Sequence, residues 1–139
     1  LRYRGAKVIV IHGGSDGVFS PDDTAAWFDE HDRNNGGDAE AFTRYFEVPG
    51  MGHVAGGPGT DQHGGLAALV AWVEQGTAPK QLVASVNPAN PEVPADWSPT
   101  RSRPLCVYPQ VAQYVSGEPE SAGSFACEDP HPGLAYGKR

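Results

Sequence analysis

The 139 residues suffice for one domain, since single domains commonly run from about 50 to 250 residues, and 18 glycines with 13 prolines point to much loop around a small core. A formal charge of −7, with 10 Lys and Arg against 17 Asp and Glu, excludes a phosphate-binding surface, which needs clustered positive charge, and an anionic bilayer would repel the chain for the same reason. The longest apolar stretches, Val8 to Ile11 and Leu66 to Val73, are far too short to span a bilayer, so neither nucleic acid nor membrane is an expected partner.

The chain opens on Leu1-Arg2-Tyr3-Arg4-Gly5, which has neither the apolar h-region nor the small-residue cleavage site of a signal peptide. Lys7-Val8-Ile9-Val10-Ile11 follows as a continuous β-branched run between Gly5 and Gly13-Gly14, which predicts an interior strand of a parallel sheet, buried on both faces. Ser20 as N-cap, Pro21 at the first helical position and the acids Asp22 and Asp23 predict a helix from Pro21 to about Arg33, ended by Asn34-Asn35-Gly36-Gly37. Thr43-Arg44-Tyr45-Phe46-Glu47-Val48 reads as a second strand, stopped by Pro49-Gly50, and a glycine-rich loop continues through Gly59.

Gly65 to Gln75 carries Leu66, Leu69, Val70 and Val73 at helical spacing with Trp72 alongside, and Gly76 stands where a helix commonly ends. This helix should cover one sheet face, with Trp27, Phe28 and Trp72 in the core. From Asn87 to Arg103 the prolines at 88, 91, 94 and 99 erase any periodicity and predict a long surface connection. No internal repeat is present.

The order strand, helix, strand, helix predicts an α/β fold class and a βαβα unit whose sheet edges and faces stay largely uncovered unless further strands pair with them. A larger sheet is therefore expected beyond these residues, and a chain folding alone should pair its edges with another copy. Residues 1–86 read as this core, and residues 87–139 as a proline-rich connection and loop-rich, cysteine-bearing tail that packs on it. Cys106 and Cys127 both lie in that tail, where they admit either a disulfide, worth about 3 kcal/mol for a loop of this size in an oxidising compartment, or a buried thiol pair.

Asp16 lies just beyond the first strand and His53 just beyond the second, at the sheet edge where active sites of open parallel sheets form. An Asp that accepts from one imidazole nitrogen fixes the tautomer and steadies the imidazolium, which frees the other nitrogen to take a proton from a serine hydroxyl. A plainer reading has Asp16 satisfying backbone amides in its Gly-Gly-Ser-Asp-Gly turn and His53 as an exposed loop histidine. Gly13-Gly14-Ser15-Asp16-Gly17 also matches the G-x-S-x-G nucleophile elbow, but an elbow passes straight into a helix, whereas Gly17-Val18-Phe19 intervene here.

His12-Gly13-Gly14 matches an oxyanion-loop pattern of lipases as well, yet its place in the chain favours His12 as a strand-end residue packing under the site's rim. His53, His63 and Asp61 lack the spacing of a zinc ligand set, so no metal is expected in this segment.

The run Val8 to Gly17, with His12-Gly13-Gly14-Ser15-Asp16, resembles the acid-bearing turn of the tannase and feruloyl esterase family, and Val48-Pro49-Gly50-Met51-Gly52-His53 resembles its histidine motif. Leu66 to Gly76, Ala78-Pro79 with Leu82-Val83-Ala84-Ser85, and the segments Arg103 to Pro109 and Phe125-Ala126-Cys127 match later stretches of that family in order. The resemblance implies the C-terminal part of an α/β-hydrolase that cleaves carboxylic esters, often of aromatic or phenolic acids, through an acyl-enzyme. Asp16 and His53 would be its acid and base. In the triad order serine, Asp, His, the nucleophile would lie upstream of Leu1, so the chain alone is expected to be inactive.

The family's lid domain with its calcium would also lie upstream, leaving no cofactor in this segment. The implied partners are a small aromatic ester and the N-terminal part of the hydrolase, and the implied location is secreted or periplasmic. One position departs from the family. A cysteine commonly follows the catalytic histidine and is tethered beside the serine, whereas this chain has Val54, which is expected only to pack. That departure keeps open an alternative, a non-catalytic binding or structural module that retains the hydrolase tail.

Overall fold

The computed structural model of the chain describes residues 2–130; the end of the tail, 131–139, lies outside them. The first strand, β1 (Val8–Gly13), runs parallel to β2 (Thr43–Val48), in register from Val8 opposite Thr43 to Gly13 opposite Val48. Between them comes α1 (Pro21–Asn34), entered at Ser20 with Pro21 in its first turn and left through Asn35, Gly36 and Gly37, where both glycines have positive φ. The predicted strand, helix, strand order is therefore observed.

β2 is the buried strand of the pair: Thr43, Tyr45, Phe46 and Val48 are all inaccessible to solvent or nearly so. β1 is different. Its residues from Val8 to His12 are only partly buried, because among the described residues it pairs with β2 alone. The expectation of a strand buried on both faces is thus corrected, since an edge position leaves one side of the ladder open.

The second helix, α2 (Gly65–Gln75), ends at Gly76 with φ of 72°, in the left-handed region that glycine adopts without steric cost. Its buried side chain is Trp72, over whose ring stand Lys7 and Arg44 at 5.1 and 5.2 Å. Leu66, Val70 and Val73, the stripe expected to cover the sheet, are exposed instead. Ala68 is the part of α2 that packs against the core. Phe28 is buried as expected and packs against Tyr45 and Tyr108, but Trp27 is half exposed and stacks on His31 at 5.2 Å.

The chain then builds more strand than its composition suggests. β3 (Gln62–His63), β4 (Gln81–Ser85) and β5 (Ser102–Cys106) form an antiparallel sheet, and β6 (Val111–Tyr114) pairs with β7 (Phe125–Glu128) as a hairpin. Residues 87–101 contain no helix or strand, in keeping with a surface connection. β5 returns to the core: Leu105 faces Leu82 across the ladder, and Val107 bridges to Phe46 of β2. Phe46, Val48, Met51, Leu82, Ala84, Leu105 and Val107 make one apolar cluster that spans both sheets.

Cys106 and Cys127 are joined in a disulfide, their Cα atoms 5.5 Å apart, which pins β7 to the end of β5. The thiol-pair alternative is thereby set aside.

Candidate active site

The parallel register carries β1 and β2 to the same edge, and the loop after each strand doubles back over it. The amide of Ser15 donates to the Met51 carbonyl at 3.0 Å, and that of Gly14 donates to the Val48 carbonyl at 2.9 Å, so the two loops are stitched together by backbone. Side chains cannot fit between them: a Cβ on Gly13 would run into the carbonyls of Met51 and Gly52. Glycine at position 13 is required by that close approach.

This stitching brings Asp16 and His53 together. His53 Nδ1 lies 2.8 Å from Asp16 Oδ2, and a carboxylate oxygen can only accept, so Nδ1 carries the proton and Nε2 is left as the basic nitrogen. Among the described residues Nε2 has no partner, and the His53 side chain is 45% exposed. The other carboxylate oxygen, Oδ1, accepts from the amides of Val18 at 2.7 Å and Phe19 at 3.1 Å. Asp16 therefore does both things that its sequence context suggested: it closes a turn with one oxygen and holds the imidazole with the other.

The Asp16 side chain is almost inaccessible, at 4%. The hydrogen bond from His53 holds its carboxyl well below the usual carboxylate range; burial opposes this, and the Val18 and Phe19 amides add to the lowering. The acid is ionised at any pH where an imidazole is neutral. Phe19 lies against the His53 ring with centroids 5.5 Å apart, and its own side chain is exposed beside the site.

Three neighbours were missed or misjudged from sequence. His12 does more than pack at the strand end: its Nε2 lies 3.2 Å from Asp16 Oδ2 and its Nδ1 2.7 Å from Thr24 Oγ1. Glu47, on β2, is half-buried next to Gly14, and burial together with the nearby Asp22 pushes its carboxyl up. Val54, expected to pack, is 76% exposed with φ of 62°, a left-handed backbone that a β-branched residue rarely takes.

The His53 loop is folded on its own glycines. Gly57, at φ of 75°, presses its backbone on Gly50, and the Gly52 amide donates to the Gly56 carbonyl at 3.0 Å. The 87–101 connection reaches across to latch it: Gly57 donates to Glu92 Oε2 at 2.8 Å, and Asn90 Nδ2 donates to the Gly57 carbonyl at 2.9 Å. No sequence signal marks Asn90 and Glu92, which are ordinary surface residue types in a proline-rich stretch.

Ser15 makes no side-chain hydrogen bond to His53, and α1 starts six residues after it, at Pro21, so the geometry of an elbow is not formed. Asp61 donates no support to a metal set either: it accepts from the Gly56 amide and from Gln62, and among the described residues no group of three His, Cys, Asp or Glu side chains is placed to hold a metal ion.

The family model described as tannase and feruloyl esterase matches residues 1–128. A mono(2-hydroxyethyl) terephthalate hydrolase of Piscinibacter sakaiensis is 47% identical over 132 residues, covering 94% of this chain and 21% of the relative. A probable feruloyl esterase of Arthroderma benhamiae is 31% identical over 131 residues, covering 91% of this chain and 24% of the relative. Among solved structures, an esterase from Aspergillus oryzae superposes with a TM-score of 0.78 at 23% identity, over 91% of this chain and 28% of that one, and so shares its fold. The chain thus spans about a fifth to a quarter of the length of the relatives it matches. A family match over nearly all the described residues, with sequence relatives agreeing, makes this chain a member of the tannase and feruloyl esterase family.

Proposed function

We propose that these residues are the C-terminal, acid- and base-bearing part of an α/β-hydrolase that cleaves esters of aromatic or phenolic acids. The observation that carries the reading is the 2.8 Å contact between His53 Nδ1 and Asp16 Oδ2 at the joined ends of two parallel strands. His53 Nε2 takes the proton of a serine hydroxyl as the serine oxygen bonds to the ester carbonyl, then gives it to the departing alcohol, leaving an acyl-enzyme. Water repeats the cycle to release the acid. The ionised Asp16 holds the tautomer and balances the imidazolium formed in each half.

The serine would come from a part of the protein outside these residues, as would the lid and its calcium, neither of which is assigned to any residue here. The aromatic preference rests on the relatives, whose names denote terephthalate and feruloyl esters. The disulfide supports an oxidising compartment, and in this reading the protein works outside the cytoplasm, secreted or periplasmic; recovery of the native protein only from the cytosol, with both thiols reduced, would refute it.

The test compares the 139-residue chain with an intact polypeptide that carries it, on methyl ferulate. Turnover is expected from the intact polypeptide and from no preparation of the short chain. Hydrolysis by the short chain that depends on His53 would overturn the assignment of the nucleophile. Val54 is the observation that favours the second reading, a non-catalytic module, because it cannot form the family's cysteine tether beside the histidine. An intact polypeptide that folds, yet turns over no ester, would support it.

A further inference from the structure

We propose that His12 is a positioning residue for the Asp16–His53 pair, a second imidazole held in its Nε2–H form whose N–H faces the Phe19 carbonyl and the Asp16 carboxylate together. The inference rests on the reading of Asp16 and His53 as acid and base. Its basis is geometric. His12 ends the apolar run of β1, and its side chain, only 12% exposed, turns under the loop that carries Asp16.

The tautomer follows from the partners. Nε2 donates to the Phe19 carbonyl at 3.2 Å and lies 3.2 Å from Asp16 Oδ2, and both of those oxygens can only accept. The proton must therefore sit on Nε2. Nδ1, 2.7 Å from Thr24 Oγ1, is then the acceptor, and the threonine hydroxyl donates to it. Thr24 is on the second turn of α1, so the ring is anchored to a rigid element on one side and to the acid loop on the other.

Two consequences distinguish this arrangement from ordinary packing. The Phe19 residue whose carbonyl His12 holds is the same residue whose amide donates to Asp16 Oδ1, so His12 closes the loop around the carboxylate. In addition, Oδ2 is the very oxygen that binds His53, and His12 Nε2 lies 3.2 Å from it, so the two imidazoles meet at one carboxylate oxygen. With His12 gone, Asp16 keeps its two loop amides and its bond to His53, but the loop loses the side-chain bridge from Phe19 to Thr24.

The test is made in the intact polypeptide with methyl ferulate. His12→Leu fills the space without an N–H and is expected to lower kcat about tenfold, the worth of one hydrogen bond in a charged network, with KM within about twofold. His12→Gln restores an N–H near the Nε2 position and is expected to recover most of that loss. Native kcat in His12→Leu, or an equal fall in both variants, would overturn the inference while Asp16→Asn and His53→Ala still abolish turnover. If those two variants keep turnover, the acid and base reading fails first and takes this one with it. Should His12→Leu not fold, nitrogen NMR of the histidine-labelled native polypeptide decides, with the His12 signals identified in His12→Gln: protonation at Nε2 and a bare Nδ1 are expected, and the reverse refutes the proposal.

Discussion

The His53 loop and the tail from β5 to β7 are both drawn from glycine- and proline-rich sequence, yet they are held by opposite means. In the tail, a covalent bond joins Cys106 to Cys127, and Arg103 lies over the Phe125 ring at 4.4 Å. In the loop, glycine backbones press on one another, and a hydrogen bond from Asn90 and one accepted by Glu92 close it. A crosslink stabilises largely through the unfolded chain, whose freedom it removes. Glycine packing and latches act only in the folded state. Stability and catalytic geometry should therefore respond to different substitutions, and the comparison can be broken from either end.

The largest effect is expected at the site. Asp16→Asn preserves shape but lets the amide nitrogen face His53 Nδ1, which favours the wrong tautomer; loss of about 10³ to 10⁴ in kcat is expected, with a melting temperature somewhat lower than native above pH 5 and a difference that shrinks in acid. Steady-state kinetics and a melting curve on the same preparation check it. Activity within tenfold of native would mean that Asp16 is only a turn residue. Stability of the native chain should also fall in acid. Because the Asp16 carboxyl is held below its ordinary value, its contribution is complete above about pH 4 and is lost as pH drops toward the folded value.

The reverse pattern is expected in the tail. Replacing Cys106 and Cys127 together with serine opens a loop with a sequence separation of 21 and should cost about 3 kcal/mol in denaturant unfolding. kcat on methyl ferulate should change less than about threefold, because among the described residues none from β5 to β7 makes a hydrogen bond or ion pair with Asp16 or His53. A kcat loss comparable to that of Asp16→Asn would show that the tail shapes the site and would remove the contrast.

Between these extremes lies the latch. Glu92→Ala deletes the acceptor of the Gly57 amide on an exposed surface, which should weaken closure of the His53 loop, not global folding, by about 1 kcal/mol. Its signature is a fall in kcat of about threefold to tenfold with the melting temperature nearly constant, since the loop, not the core, is released. Glu92→Gln keeps an acceptor oxygen and should recover most of the activity. A drop in stability without a drop in kcat would place Glu92 with the tail.

The sequence made the paired ends of β1 and β2 legible because two signals coincide there: unbroken β-branched or aromatic runs, and glycines that admit only backbone as neighbours. Asp16 and His53 could be named for that reason. What escaped was whatever depends on contacts distant in sequence. Arg103-Pro104-Leu105 has weak strand character alone and becomes β5 through pairing with Leu82 and Val83. Leu66, Val70 and Val73 have the spacing of a buried stripe, but spacing cannot say whether a partner lies within the same residues, and among the described residues none covers them. His12 was legible as a strand end but not as a neighbour of Asp16, since its second anchor, Thr24, is twelve residues away on α1.

Glu47 gives the smallest and most discriminating effect, because it sits on β2 between the two regimes. Burial and the neighbouring Asp22 disfavour its carboxylate, so its folded pKa stands above the ordinary value of about 4.3. An acid raised in this way favours folding while it is protonated, below that ordinary value, and the favour is lost as pH rises through the folded value. At neutral pH an ionised Glu47 is thus a small liability that glutamine removes without changing shape. Glu47→Gln should melt slightly higher than native near pH 7 and the difference should shrink toward pH 4, while kcat at neutral pH stays close to native. Equal melting temperatures across that range would show that Glu47 is solvated after all. A fall in kcat would instead make its charge part of the site and move β2 wholly to the catalytic side of the comparison.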